Sequence, residues 1–200
     1  MIICISGLTG SGKDSVGREV ARLLSLRVVD PTFKTIAAKQ GMRLMEFQKK
    51  AEKEHSIDRH FDARLVAEAK RGNCVVTTWL GPWMVKNADL RVWLHAPSEV
   101  RARRLTGRDG MTLEQSRMHV ADRDAGNHAR YEEVYKIDIY DHSGFELVIN
   151  TERFAPRESA QVIAAAARAL GGKNAKAVKK TKAVSKKKKK KTTKAKGRKR

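Results

Sequence analysis

The sequence predicts an α/β protein, a three-layer P-loop fold around a parallel five-stranded sheet. Three observations carry the prediction. Short apolar runs rich in β-branched residues recur along the chain, amphipathic stretches of ten residues or more separate them, and a glycine-rich segment joins the first run to the first helical pattern. Strands that alternate with helices favour right-handed crossovers and parallel pairing.

The first run, Met1 to Ser6, reads as a buried strand. Gly7-Leu8-Thr9-Gly10-Ser11-Gly12-Lys13 follows it and opens into the amphipathic pattern Val16-Gly17-Arg18-Glu19-Val20-Ala21-Arg22-Leu23-Leu24. A phosphate-binding loop belongs at such a junction. Glycines let the backbone curl until successive N–H groups point at phosphate oxygens, the helix N-terminus adds its positive end, and Lys13 reaches the outer phosphates. A plain tight turn is the alternative, and the strand–turn–helix context argues against it. Asp14 stands where Ser or Thr normally offers a hydroxyl to magnesium, and Ser15 follows one residue late.

Arg27-Val28-Val29 reads as a short strand, and residues 31–72 as a helical insertion of mixed charge anchored by Phe33, Ile36, Met42, Leu44 and Phe47. Within it Ile57-Asp58-Arg59-His60-Phe61-Asp62 opens a further helix. Cys74 to Trp79, Asp89 to His95 and Glu146 to Asn150 complete the five strands. In such a sheet ligands collect beyond the carboxyl ends of the strands, where the glycine-rich loop also lies. A charged excursion, residues 101–136, carries Arg101, Arg103, Arg104, Arg108, Arg117, Arg123 and Arg130. Arginine suits phosphate because its planar fork binds oxygens bidentately and keeps its charge. A solvated helix face explains most such runs and is assigned to Arg117. Arg123 and Arg130, two helical turns apart, share a face, and Asp122, Asp124, Glu132 and Glu133 suffice to pair only some of the arginines.

The net charge of +21 divides unevenly. Residues 173–200 hold 16 of the 43 Lys and Arg and no acid, which leaves +5 for residues 1–172. The chain therefore reads as one domain, 1–172, ending at Gly171-Gly172, and a Lys-rich tail without aromatic residues whose composition predicts disorder. Lysine repeats attract nucleic-acid phosphates without sequence preference, so non-specific RNA or DNA is a candidate partner of 173–200. Anchoring to a membrane needs a second signal beside the basic one, and none is evident. No apolar run approaches a bilayer-spanning length, and the first run lacks the features of a secretory leader, so a cytoplasmic location is expected. Cys4 and Cys74 sit in strand-like runs as buried, reduced thiols.

Together these residues resemble the archaeal-type cytidylate kinases, within the P-loop nucleoside monophosphate kinases. The resemblance covers nearly the whole body. It rests on Ile3-Cys4-Ile5-Ser6-Gly7 to Lys13, Gly41-Met42 with Glu46-Phe47, Ile57-Asp58-Arg59, Gly81 with Trp83-Met84, and Leu94-His95-Ala96-Pro97. Further along it takes in Arg101, Arg104 and Arg108 with Gly110, the pair Arg123 and Arg130, Tyr131, Tyr135, Ile137-Asp138, and Leu147-Val148-Ile149-Asn150-Thr151. It implies that 31–72 is a monophosphate-binding region and 101–136 an arginine-bearing lid. ATP and Mg²⁺ are the implied cofactors, with CMP or dCMP as acceptor. Donor-site residues are then Gly7 to Ser15 with Arg104 and Arg108. Lys13, Arg123 and Arg130 are the catalytic residues, Asp14 meets the metal, and Lys34, Asp58, Arg59 and Trp79 meet the acceptor.

The chain departs from the family where Thr77-Thr78-Trp79 replaces a Gly-Arg pair, removing the arginine expected to hold the acceptor phosphate, and where Lys34 replaces an arginine after Phe33. The rival reading is a kinase-like nucleotide-binding protein, impaired at the acceptor site, that associates with RNA or DNA through its basic tail.

Overall fold

A computed structural model describes residues 1–31 and 33–171. The tail expected at 173–200 lies outside the described residues, as does the side chain of Lys34. In chain order the elements are β1 (Ile2–Ser6), α1 (Lys13–Leu24), β2 (Arg27–Val29), α2 (Phe33–Lys39), α3 (Leu44–Lys53), α4 (Ser56–Ala69), β3 (Cys74–Val76) and α5 (Gly81–Met84). They continue with β4 (Leu90–His95), α6 (Ser98–Asp109), α7 (Leu113–Tyr135) and β5 (Leu147–Asn150), and a last helix, α8, spans 156–171.

All five strands pair in parallel in the order β2-β3-β1-β4-β5. The central strand β1 pairs Cys4 with Val76 of β3 and Ser6 with Trp93 of β4, so the loop after Ser6 emerges between the carboxyl ends of two neighbours. Alternation along β1 splits the core into two layers. Ile3 and Ile5 pack with Val16 and Val20 of α1 and Ile163 and Ala167 of α8, whereas Ile2 and Cys4 pack with Leu65 and Ala69 of α4 and Val85 after α5. Ile3 and Ile5 are both 0% exposed, each contributing about 1.5–3 kcal/mol by burial. Cys4 and Cys74 are buried free thiols.

The strand expected over Cys74 to Trp79 stops at Val76. Its partners run out there: Thr77 N–H still donates to Val29 O at 3.1 Å, but the chain then turns so that Trp79 O accepts the Ser6 hydroxyl at 2.7 Å. Thr77, Thr78 and Trp79 thus lie off the sheet, beside the loop that follows β1. The 31–72 region is the helical insertion expected between strands, built of α2, α3 and α4. Residues 101–136 fall on α6 and α7, whose junction the sequence marks clearly. Gly110 ends α6 in the left-handed region, and Thr112 and Gln115 exchange side-chain to backbone hydrogen bonds that cap α7.

Candidate active site

The loop 7–13 is shaped by glycine. Gly10 has φ +78°, and a Cβ there would lie 2.8 Å from the Arg101 carbonyl oxygen and from Leu105 Cδ1. Gly12, at φ +90°, is the N-cap of α1 and offers no side chain to the first turn. The N–H groups of that turn therefore lack intrahelical partners and are free for an anion. Lys13 is largely buried behind them. Burial pushes its ammonium below the ordinary lysine range, Arg123 and Arg108 push the same way, and Asp14, 4.0 Å from Nζ, opposes them. A bound polyanion would remove that frustration.

The loop is tied to α6 and α7 from behind. Arg101 on α6 and Asp124 on α7 form an ion pair at 2.6 Å, with side chains 7% and 8% exposed. Both also grip Thr9: its N–H donates to Asp124 Oδ1 at 3.1 Å and its carbonyl accepts from Arg101 Nη1 at 2.9 Å. Arg101 Nε further donates to Ala96 O after β4 at 3.0 Å. On the other side Arg104 donates to Gly10 O at 3.2 Å and to Thr151 O at 2.6 Å, while the Thr151 hydroxyl donates to Ser11 O at 3.0 Å. A smaller cavity of about 320 Å³ opens there, walled by Gly12, Ser15, Arg104, Arg108, Thr151 and Phe154.

In front of the loop a cavity of about 700 Å³ runs from Gly12, Lys13 and Asp14 to the insertion. Arg108, His119, Arg123 and Arg130 line its lid side, and Phe33, Leu44, Gln48, Asp58, Phe61 and Asp62 its far end. Arg130 Nε lies 3.1 Å from Asp58 Oδ2, and its Nη2 donates to Asn127 Oδ1 at 2.9 Å. The Phe33 ring sits 5.2 Å from the same guanidinium. Among the described residues, Arg130 Nη1 and Arg123 Nε have no hydrogen-bond partner. Burial pulls the Arg123 guanidinium and the His119 imidazole below their ordinary ranges, Arg123 reinforcing the effect at His119. Trp79, 9% exposed, packs with Leu80, Tyr131 and Ile139 and presents its ring 5.8 Å from Lys13 Nζ.

The structure thus gathers Lys13, Asp14, Ser15, Arg108, Arg123, Arg130, Asp58 and Trp79 around one cavity, while Arg104 braces the loop from outside and stands at the smaller one. Gly7, Leu8 and Thr9 form the back of the loop and do not line the cavity. Arg59 is exposed on α4 and lies away from the lining. Arg117 pairs with Glu99 on the surface, as a solvated face should. Sequence reasoning did not single out Gln48, Asp62 or His119, nor the clamp between Asp124 and Arg101. The spacing of Asp58 and Asp62, one turn apart on a charged helix, was the available signal for one of them.

A cradle for phosphates that opens into a cavity walled by the insertion, with arginines overhead, suits phosphoryl transfer between two small molecules and places the chain among the P-loop kinases. Among solved structures, shikimate kinase from Acinetobacter baumannii in complex with shikimate has a TM-score of 0.52 at 24% identity, covering 81% of this chain and 89% of that one, a likeness of fold. Residues 2–153 match the cytidylate kinase-like family. The cytidylate kinase of Pyrococcus horikoshii is 42% identical over 168 residues, 83% of this chain and 88% of that enzyme. That of Pyrococcus abyssi is 41% identical over 168 residues, 83% and 93% of the two. The chain belongs to the cytidylate kinase-like family and is a nucleoside monophosphate kinase.

Proposed function

We propose that the protein transfers the γ-phosphoryl group of ATP to CMP or dCMP, giving ADP and the corresponding diphosphate. The observation that carries the reading is the single cavity joining the Lys13 cradle to the insertion under Arg123 and Arg130. Donor phosphates take the loop 7–13 and the first turn of α1, with the donor base on the side of Arg104, Thr151 and Phe154. The acceptor takes the far lobe, so its phosphate faces the donor beneath the lid. An acceptor phosphate oxygen attacks the γ-phosphorus as the bond to the β-bridging oxygen breaks. The attacking oxygen is already ionised, so no general base is required. Positioning and electrostatic stabilisation do the catalysis, with Lys13, Arg123 and Arg130 meeting the charge that builds on the transferring group.

Magnesium fits this site as a metal shared with substrate. Among the described residues no cluster of three or more His, Cys, Asp or Glu is placed to cage an ion. Asp14 Oδ1, however, is buried without a hydrogen-bond partner, and one carboxylate plus substrate phosphates is a common magnesium environment. Asp14 would hold the ion, which when bound neutralises phosphate charge.

The experiment is diphosphate formation from ATP and each nucleoside monophosphate. Lys13→Ala should lower turnover by about 10²–10³-fold, since no other cation lining the cavity stands on the loop beside the donor phosphates. Retention of most of the activity removes the loop from catalysis.

A further inference from the structure

Phosphoryl transfer leaves one buried carboxylate of the cavity without a task. Asp62 lies on α4 one turn beyond Asp58, is 6% exposed and lines the far lobe. Its Oδ2 accepts a hydrogen bond from the Tyr135 hydroxyl at 2.6 Å, and among the described residues nothing donates to its Oδ1. Burial pushes this carboxyl up to about 6, with Asp58 on its own helix adding to the shift and Tyr135 and Arg130 on α7 opposing it. Among the described residues it forms no ion pair, and Arg130 is engaged by Asp58 at 3.1 Å.

The surroundings say what would meet that oxygen. Phe33 and Phe61 meet edge to face at 5.2 Å, and with Leu44 they give the lobe flat apolar walls suited to a heteroaromatic ring. Gln48 Nε2 donates to Asn127 Oδ1 at 3.3 Å, which fixes the amide so that its Oε1 remains an acceptor. The polar edge of the lobe therefore offers two oxygens that find no donor among the described residues. An N–H group satisfies such oxygens, whereas a ring carbonyl in the same place would set oxygen against oxygen.

We propose that Asp62 determines the acceptor's base. Its Oδ1, supported by Gln48 Oε1, receives the exocyclic N–H of an amino-pyrimidine, and the same oxygens exclude an oxo-pyrimidine. The inference rests on the far lobe being the acceptor site, and its test separates the two. Binding of CMP and of UMP to the full chain is measured by calorimetry, alongside turnover of each. The wild type should bind CMP at least about tenfold more tightly than UMP, as a hydrogen bond to a charged group implies. Asp62→Asn replaces an acceptor with a group able to donate, and should shift the CMP:UMP ratio about 10–100-fold towards UMP.

Equal binding of the two nucleotides by the wild type, or an unchanged ratio in a folded Asp62→Asn, overturns the proposal. Should that variant fail to fold, the wild type carries the test through pH. Protonating Asp62 turns an acceptor into a donor, so the ratio should fall between about pH 8 and about pH 5.5. The phosphate's own titration is common to both nucleotides and cancels in the ratio. A flat ratio rejects the assignment. Selective CMP binding without CDP formation would instead reject the proposed reaction and leave the specificity residue standing.

Discussion

Removing the Asp124 carboxylate should unfasten the phosphate loop from the lid. In Asp124→Ala, Arg101 loses an ion pair of 2.6 Å in surroundings where both side chains are less than a tenth exposed. Breaking a buried pair from one side costs about 3–5 kcal/mol. The low end applies, because the guanidinium keeps the carbonyls of Ala96 and Thr9 at 3.0 and 2.9 Å. The Thr9 N–H, left without its acceptor, adds about 1 kcal/mol. A loss of about 4 kcal/mol in a domain of this size lowers Tm by roughly 8–16 °C. The double variant Arg101→Met, Asp124→Leu carries no stranded charge and should melt above the value obtained by adding the two single losses, with a coupling of at least about 1 kcal/mol. Calorimetry on the wild type, Asp124→Ala, the single variants Arg101→Met and Asp124→Leu, and the double variant measures this directly. A Tm for Asp124→Ala within about 2 °C of the wild type, or losses that simply add, would refute the clamp. Since Thr9 belongs to the donor loop, the single variant should also raise the KM for ATP.

Two further outcomes follow from the loop and its neighbour. Asp14 sets a carboxylate beside a polyanion and is placed to hold the magnesium between them, so Asp14→Ala should raise the magnesium concentration needed for half-maximal turnover; a lower requirement would show that the carboxylate only repels the phosphates. Trp79→Arg would place a second cation near Lys13 in an apolar cluster with Leu80, Tyr131 and Ile139, so it should cost about 3–5 kcal/mol of stability and gain no CMP turnover. Higher turnover at an unchanged Tm would instead mean that the expected arginine is missed.

Much of the frame was legible because the signals were local. The five strands appear where apolar runs placed them, and the turn, cap and glycine chemistry around Gly12, Gly110 and Thr112 fixes the ends of α1, α6 and α7. Arg123 and Arg130 come to one cavity because their spacing on α7 put them on one face. What the sequence hid was long-range. Asp124 lies 23 residues from Arg101 and 115 from Thr9, and an acid beside Arg123 has several nearer arginines to pair with on paper. Tyr135 and Asp62 are 73 apart. Cys74 to Trp79 overran by three residues because β-branched threonines prolong a strand pattern past the point where Val29 and Cys4, the partners of Val76, end the ladder.

The distribution of hydrogen bonds separates the parts of this molecule that hold still from those that wait for a ligand. Behind the loop, Arg101, Asp124 and the Thr9 backbone satisfy one another, which is what a fixed joint requires. In front of it several polar side chains lack partners: Asp14, Thr77, Thr78, Trp79, Arg123 and Arg130 each bury an atom that bonds to no described residue, as do the hydroxyls of Thr9 and Ser11 in the loop and, away from the cavity, His128 and His142. Leaving such groups unpaired costs about 1–3 kcal/mol apiece, so a fold that concentrates them along one cavity gains affinity there when a ligand supplies the missing partners. Five of the six that line the cavity carry donors, which suits phosphate oxygens, and the sixth, Asp14, is an acceptor that suits a cation between them. Asp62 continues the pattern at the far end with the opposite sign, an acceptor among apolar rings. The cavity therefore grades from donors at the phosphate cradle to acceptors at the far lobe, the order that the proposed binding of an amino-pyrimidine nucleotide, phosphate towards Lys13 and base towards Asp62, requires.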